Sequence, residues 1–531
     1  MSPLQRVILS ITIVVVSVLL TASQMTRALT PLETVPYEAL PPDVVIETVV
    51  ANATQLVAMD FTPDGRLLYT QKTGAVRVVV NDVLQPSPAY DFSPSIDTQG
   101  ERGLLGLAVD PAFTGNNRVW VYLTRDRGNG SVPRYENRVV TFVLPPDNAV
   151  TETKTAKSFP VDFYNTIHNG GNLHFGPDGK LYVSVGNNDE VNQADDPAQA
   201  LSSPLGKIHR FTVGIPLNTP GDNPFPGNSI YAYGLRNSFD FDFDPVSGKL
   251  FATENGEACD DEINRVLSGY NYGWRPYYPP PPCDDYDGAN PAYNTIPPLY
   301  FWTTSVAPTG LTFYRSDLIP EWKNDLFMCS YKDATTAIHH FKLNAARTAI
   351  VSHTVLSDTI NHQPITCRTD LLTGPDGALY YSQGGGYPEN NGPIKRLVRR
   401  TSVVESSMRV LTGRNVAGGE AAVAIQLRHR GTNNNSFTVS VDVSAQAGII
   451  DVQTTRGTIF PTSDTTLEWS GAVNGTETVV ATYTLSIAAL PTSTYLLANA
   501  IQIDAPGATP VTLTPVLIVN GLTTYLPIMR R

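Results

Sequence analysis

The run HNGGNLHFGPDGKLYVSVGN, His168 to Asn187, decides the fold. Its second half makes a compact statement: an apolar residue, a Pro-Asp-Gly turn, then a strand rich in Leu, Tyr and Val. Proline presets φ, aspartate bonds back to the backbone and glycine accepts positive φ, so Pro-Asp-Gly is a turn with a mechanism. The statement recurs as FTPDGRLLY (Phe61 to Tyr69), AVDPAFTGNNRVWVY (Ala108 to Tyr122), FDPVSGKLFATE (Phe243 to Glu254) and TGPDGALYYSQG (Thr373 to Gly384). A degenerate copy reads FYRSDLIPEWKNDLFMCS, Phe313 to Ser330. Copies at intervals of roughly 50–75 residues are too far apart for single hairpins and suit four-stranded blades with loops. A generic antiparallel domain does not explain why each turn leads into the same aromatic strand. The expectation is an all-β protein, with a six-bladed β-propeller over residues 40–400.

Composition agrees with that reading. A chain of 531 residues with 40 Gly and 42 Pro is not mainly helical, because both residues break helix interiors and supply turns. Its formal net charge of −12 argues against a nucleic-acid partner, which would need a basic stripe to replace counterions. After KRLVRR, Lys395 to Arg400, the repeat stops. From there AVAIQLRH, FTVSVDVS, TVVATYTLSI and VTLTPVLIVN read as short alternating strands between Gly, Asn, Thr and Ser. That pattern suggests an immunoglobulin-like β-sandwich over 408–531, a spacer or a module for cell-surface attachment.

The first residues read as an address. A charged start ending at Arg6, an apolar run from Val7 to Ala22 and small polar residues through Ala28 form a secretory signal peptide pattern over 1–28. The alternative is an uncleaved anchor, for which the run is slightly short. Export permits disulfides, so Cys259, Cys283, Cys329 and Cys367 read as pairs rather than metal ligands. Sequence allows three connectivities. The expected one joins Cys259 to Cys283 across a Pro-rich loop and Cys329 to Cys367.

The residues with chemical potential all fall in the repeat region. His168 precedes Gly170 and Gly171; an imidazole is a base near neutral pH, and glycines let a flat ligand approach the backbone. The bland alternative is a structural hydrogen bonder. In YAYGLRNSFDFDFDP, Arg236 and Asn237 stand just before a strand, where a guanidinium could stabilise charge growing on an oxygen, or form an inter-blade salt bridge. ENGEACDDEINRVLSGYNYGW, Glu254 to Trp274, crowds Glu257, Asp260, Asp261 and Glu262 together without His or thiolate. Such a set suits Ca²⁺ rather than zinc.

Taken in order, these segments resemble the soluble quinoprotein glucose/sorbosone dehydrogenase family, the PQQ-dependent aldose sugar dehydrogenases. The resemblance runs from Val44 to Leu397 on ERGLLGLA, HNGGNLHFGPDGKLYV, LGKIHRF, YGLRN, DDEIN with NYGW, SVAPTGLTFY and GPDGALYY. It implies a propeller holding pyrroloquinoline quinone (PQQ) and Ca²⁺ in a cleft, oxidising a sugar at C1 to the lactone and passing electrons to an external acceptor. It implies His168 as the base and Arg236 as the group that polarises the quinone oxygen. Glu101, Asn237, Ser305, Lys332 and Arg368 would contact the cofactor. The carbonyls of Gly256 and Glu257 would bind its Ca²⁺, and Asp261, Glu262 and the Tyr272 carbonyl a second, structural Ca²⁺. Two departures stand out: Thr369 precedes Asp370 where the family commonly has arginine, and ENGE, Glu254 to Glu257, replaces a Gln-Gly-Pro pattern, adding a carboxylate. Two other classes remain open, a non-catalytic propeller that binds carbohydrate or protein at the cell surface and a Ca²⁺-dependent hydrolase of lactonase type.

Overall fold

The computed structural model describes residues 35–41, 44–126, 135–161, 165–188, 197–257, 260–274, 295–332, 336–358, 362–385, 391–399, 405–410, 417–428, 435–473, 478–489, 495–504, 511–513 and 516–520. The leader 1–28 and the Cys259–Cys283 pairing lie outside these residues. The chain divides into two compact units, Met1–Val398 and Arg399–Arg531. Both are built of strands. Helical structure among the described residues is one α turn, Phe113–Asn116, and two 3-10 turns, Ser93–Ser95 and Pro320–Trp322.

In the first unit each copy of the repeated phrase is a hairpin. A leading strand runs into the turn and a second, apolar strand runs out. The pairs are Leu56–Phe61 with Leu67–Gln71, Leu104–Val109 with Arg118–Asp126, and Gly170–Phe175 with Leu181–Val185. Phe241–Phe243 pairs with Leu250–Glu254, Pro308–Phe313 with Leu326–Ser330, and Leu371–Thr373 with Leu379–Ser382. The turns behave as their residues dictate: Gly65, Gly179 and Gly377 have φ of 88°, 71° and 83°. The Asp178 and Asp376 carboxylates accept from the amides of Lys180 and Ala378, each at 3.1 Å. Further antiparallel strands extend each hairpin into a sheet. Two sheets recruit the start of the chain: Val44–Ala53 joins Gly392–Arg399 in the last sheet, and Tyr37–Ala39 adds in parallel to Ile350–Ser357.

The leading strands neighbour one another in a closed circuit, the last packing against the first. Buried acids stitch that circuit. Asp60 Oδ2 accepts from Val109 N at 2.7 Å, Asp240 Oδ2 from Leu311 N at 2.7 Å, Asp242 Oδ2 from Phe313 N at 2.8 Å, and Asp370 Oδ2 from Met59 N at 2.5 Å. Each bond crosses from one sheet to the next, so a carboxylate satisfies an amide that would otherwise be buried without a partner. Apolar clusters fill the spaces between sheets, one of them holding Trp322, Tyr314 and the Cys329–Cys367 disulfide. That disulfide is the expected pair, with Cα atoms 5.0 Å apart.

In the second unit two antiparallel sheets, one containing Glu420–Arg428 and Thr478–Ile487 and the other Asn435–Asp442 and Thr466–Val473, share a single apolar core around Trp469, Tyr483 and Phe437. The strand Thr478–Ile487 alternates exposed and buried residues along its length, the period-2 pattern of a sheet with one covered face.

Candidate functional site

In an antiparallel hairpin the start of the first strand and the end of the second lie at the same edge. Six such edges meet around one cleft. Its wall takes Val57 and Lys72 from the first sheet, Glu101 and Leu105 from the second, and Asn169 to Asn172 from the third. Asn237, Phe239 and Asn255 come from the fourth, Ala307, Thr309 and Tyr331 from the fifth, and Thr369 from beside the last. Amides, two charged groups and flat apolar surfaces therefore face a common space.

His168 stands at the edge of that wall, buried at 4% exposure, one residue before the lining begins. Its backbone is left-handed, φ 53°, a conformation that costs a non-glycine residue and persists only where neighbours enforce it. Two neighbours do. The Glu101 carboxylate accepts from His168 N at 2.7 Å, and the His168 carbonyl accepts from Asn188 N at 3.1 Å. Gly186 has to lack a side chain, since a Cβ there would lie 2.1 Å from the His168 carbonyl. The ring Nδ1 is 2.9 Å from Asn187 Oδ1. An oxygen at that position requires the hydrogen on Nδ1, which leaves Nε2 as the basic nitrogen.

Arg236 and Asn237 are set by the carboxylate of Glu254. Burial raises the Glu254 carboxyl to about 7 despite three donors: Arg236 N at 2.8 Å, Asn237 N at 2.5 Å and Ser238 Oγ at 2.5 Å. Glu254, the first acid of ENGE, thus holds a turn, while Glu257, the acid that stands in place of the proline, is exposed. Asn237 Oδ1 accepts from Gly170 N at 2.9 Å, and Arg236 Nη1 donates to the Asn255 carbonyl at 2.9 Å. The guanidinium also lies over the Trp274 ring, 5.2 Å from its centroid. Burial lowers the Arg236 pKa, against the pull of Glu254, Glu101, Glu257 and Asp261.

Several expected contacts fall elsewhere. Ser305 donates its hydroxyl to Asp261 Oδ2 at 3.0 Å, leaving its neighbours Ala307 and Thr309 at the cleft. Lys332 is exposed while Tyr331 lines the wall. Arg368 turns its guanidinium over the Tyr331 ring, 5.4 Å away, and Thr369 takes the lining position. The two acids expected at a second calcium are parted by their strand. Asp261 and Glu262 are consecutive in the strand Asp261–Val266 and point to opposite faces. Both Asp261 oxygens are taken up, by Gly256 N at 2.9 Å on one side and by Ser305 Oγ, Val306 N and Ala307 N on the other. Glu262 accepts from Asn264 Nδ2 at 2.7 Å, and Glu257 is exposed. Among the described residues no three His, Cys, Asp or Glu side chains are grouped to hold a metal. The acids on the circuit of leading strands are spent on backbone amides, not gathered as the ligand cage a lactonase would need.

Lys72, Asn255 and Tyr331 were not singled out from sequence. Aligning the repeat copies reveals them: each is the first residue after a second strand, in LLYTQK, LFATEN and LFMCSY. Lys72 is 3% exposed and its Nζ donates to the Thr98 carbonyl at 2.6 Å.

The arrangement is a cleft at the meeting of six sheet edges, lined by amides and rings, with His168 at its rim and Arg236 next to the wall residue Asn237. The chain belongs to the glucose/sorbosone dehydrogenase family, whose model matches residues 53–394. Aldose sugar dehydrogenase YliI of Escherichia coli is 28% identical over 362 residues, covering 64% of this chain and 90% of that protein. The structure of the soluble aldose sugar dehydrogenase of Escherichia coli in the apo form aligns with TM-score 0.55 at 27% identity, over 67% of this chain and all of that one. The PQQ-bound aldose sugar dehydrogenase of Streptomyces coelicolor shares the fold, with TM-score 0.53 at 22% identity over 67% of this chain and 100% of that one.

Proposed function

We propose that the protein is a secreted, PQQ-dependent aldose dehydrogenase, its six sheets the blades of a β-propeller and its second unit an immunoglobulin-like module for attachment to a cell surface. The reading is carried by one observation: the cleft is lined with donors and flat surfaces that suit a planar, multiply anionic quinone, and a histidine in its basic tautomer stands at the edge. Lys72 offers positive charge from the wall and Arg236 from behind Asn255, Asn237 and Asn255 offer amides, and Phe239 and Tyr331 offer ring faces. The bound quinone supplies the two-electron acceptor for an alcohol.

The chain's own residues do the rest. His168, with Nδ1–H committed to Asn187, holds Nε2 ready to take the proton of the sugar C1 hydroxyl, so that the lactone forms as hydride leaves carbon. Arg236, fixed by the Glu254 turn, keeps a buried guanidinium on the carbonyl of Asn255, a wall residue; beside the cleft its positive charge would stabilise an oxygen gaining electron density. Gly170 and Gly171 let a flat ring system approach the wall. Calcium enters only through the carbonyls of Gly256 and Glu257, which would hold it beside the cofactor; the side-chain set around Asp261 does not fit a second ion. Electrons would leave to an external acceptor.

The test is a titration of the full chain with PQQ, followed by absorbance, with calcium and with chelator, and then dye reduction with a panel of aldoses. Saturable binding at micromolar PQQ and aldose-dependent reduction abolished in His168→Ala would support the reading. Absence of binding would remove it and favour a propeller that only binds carbohydrate or protein.

A further inference from the structure

Glu101 does not have the surroundings of a simple cofactor contact. Its carboxylate crosses from the second sheet to the third and accepts from His168 N at 2.7 Å. Its own amide donates to the Thr166 carbonyl at 2.9 Å, so residue 101 grips the segment before His168 from both backbone and side chain. The flanking residues reinforce the grip: Arg102, fully buried, donates to the Asn165 carbonyl at 2.7 Å and to Asp97 at 2.8 Å. On the other side Lys72 Nζ holds the Thr98 carbonyl at 2.6 Å. The loop 97–102 is therefore tied down at four points, and the group it delivers meets the one backbone amide that a left-handed His168 turns toward it.

We propose that Glu101 is a positioning residue, whose carboxylate fixes the left-handed backbone of His168 and thereby the ring position in which Nδ1 reaches Asn187 and Nε2 is the base. The role needs an acceptor oxygen at residue 101 and does not need its charge. A residue acting on substrate or cofactor through its negative charge would fail on conversion to the amide; one acting as an acceptor for His168 N would survive, because the glutamine carbonyl can take the same bond. The kinetic half of this inference rests on the dehydrogenase reading, and the structural half does not.

The experiment compares Glu101→Gln with Glu101→Met in the full chain. Side-chain ¹⁵N NMR of the apoprotein, with the His168 signals assigned by loss in His168→Gln, reports the tautomer without any cofactor. The Nδ1–H form of His168 is expected in the wild type and in Glu101→Gln, and is expected to give way to tautomer exchange in Glu101→Met. In the PQQ-loaded enzyme, kcat is expected to fall about a hundredfold in Glu101→Met, the scale of a misplaced catalytic group, and to stay within about threefold in Glu101→Gln. PQQ affinity is measured for both variants, so that kcat is compared at saturating cofactor. Loss in Glu101→Gln as deep as in Glu101→Met overturns the proposal, as does an unchanged Nδ1–H signal in Glu101→Met. A wild type that binds no PQQ removes the dehydrogenase reading, and the apoprotein tautomer then decides the role of Glu101 alone.

Discussion

His174 lies deeper along the same leading strand and has no part in the proposed chemistry. Its Nε2 is 2.8 Å from Asp240 Oδ1, its ring meets the edge of Phe241 at 5.0 Å, and its side chain is 32% exposed. Burial by itself would lower its pKa, but the Asp240 carboxylate, with Asp242 and Asp60 behind it, lifts it to about 9. Asp370 also feels the ring, and burial raises its own carboxyl well above the usual range. A histidine whose folded pKa exceeds its unfolded value of about 6.5 stabilises the fold fully below pH ~6.5 and loses that contribution as pH climbs through about 9. The full shift would correspond to about 3 kcal/mol. With the ring a third open to water, screening leaves roughly 1.5–2 kcal/mol. The perturbation is His174→Gln, which keeps an N–H donor toward Asp240 but carries no charge. The assay is urea denaturation of the full chain by tryptophan fluorescence at pH ~6 and pH ~9.5, four of the five tryptophans lying in the first unit. The wild type should exceed the variant by roughly 1.5–2 kcal/mol at the lower pH and by under about 0.5 kcal/mol at the higher. A gap that stays constant across that range would refute the reasoning, because lost packing or a lost neutral hydrogen bond does not titrate.

Other consequences are open to test. Lys72→Met should weaken PQQ binding about tenfold to a hundredfold in absorbance titration, the value of one hydrogen bond to a charged group, while Lys332→Met, at an exposed residue, should change it little. Gly186→Ala places a Cβ 2.1 Å from the His168 carbonyl; a loss of about 2 kcal/mol or more is expected in a chemical melt, and a neutral result would mean the turn moves freely. Replacing both Cys329 and Cys367 by serine opens a loop of 38 residues' separation and should cost about 3–4 kcal/mol, read as a lowered denaturation midpoint with no change in PQQ affinity.

Sheet composition was legible because Pro-Asp-Gly is a local device: it needs only its own four residues, and each occurrence announces a hairpin. The degenerate copy at Phe313 to Ser330 was readable for the same reason, its apolar strand surviving a different turn. His168, Asn237 and Glu101 could be picked out because they sit beside glycine or inside long motifs. The acids Asp60, Asp240, Asp242 and Asp370 gave no signal, since their partners lie on the next sheet and nothing in the neighbouring residues reports them. Lys72 looked like a surface lysine in a polar turn; its burial follows from convergence of six sheets, which is a property of the whole ring. The acids around Asp261 crowd along the chain but not in space: in a strand, adjacent carboxylates diverge.

The pairing of Val44–Ala53 with Gly392–Arg399 carries a constraint on how the molecule is made. An emerging chain can close each leading hairpin as it arrives, because the two strands of each are neighbours in sequence. The last sheet cannot be finished that way: the strand it needs was among the first synthesised and must wait, edge unpaired, until Gly392–Arg399 appears. Closing so long a loop adds entropy only slowly with length but delays the reward until the end. A chain cut short before Gly392 would therefore carry an open ring with exposed strand edges, prone to pair with another copy. One carrying an intact terminus would lock all six sheets in a single late step.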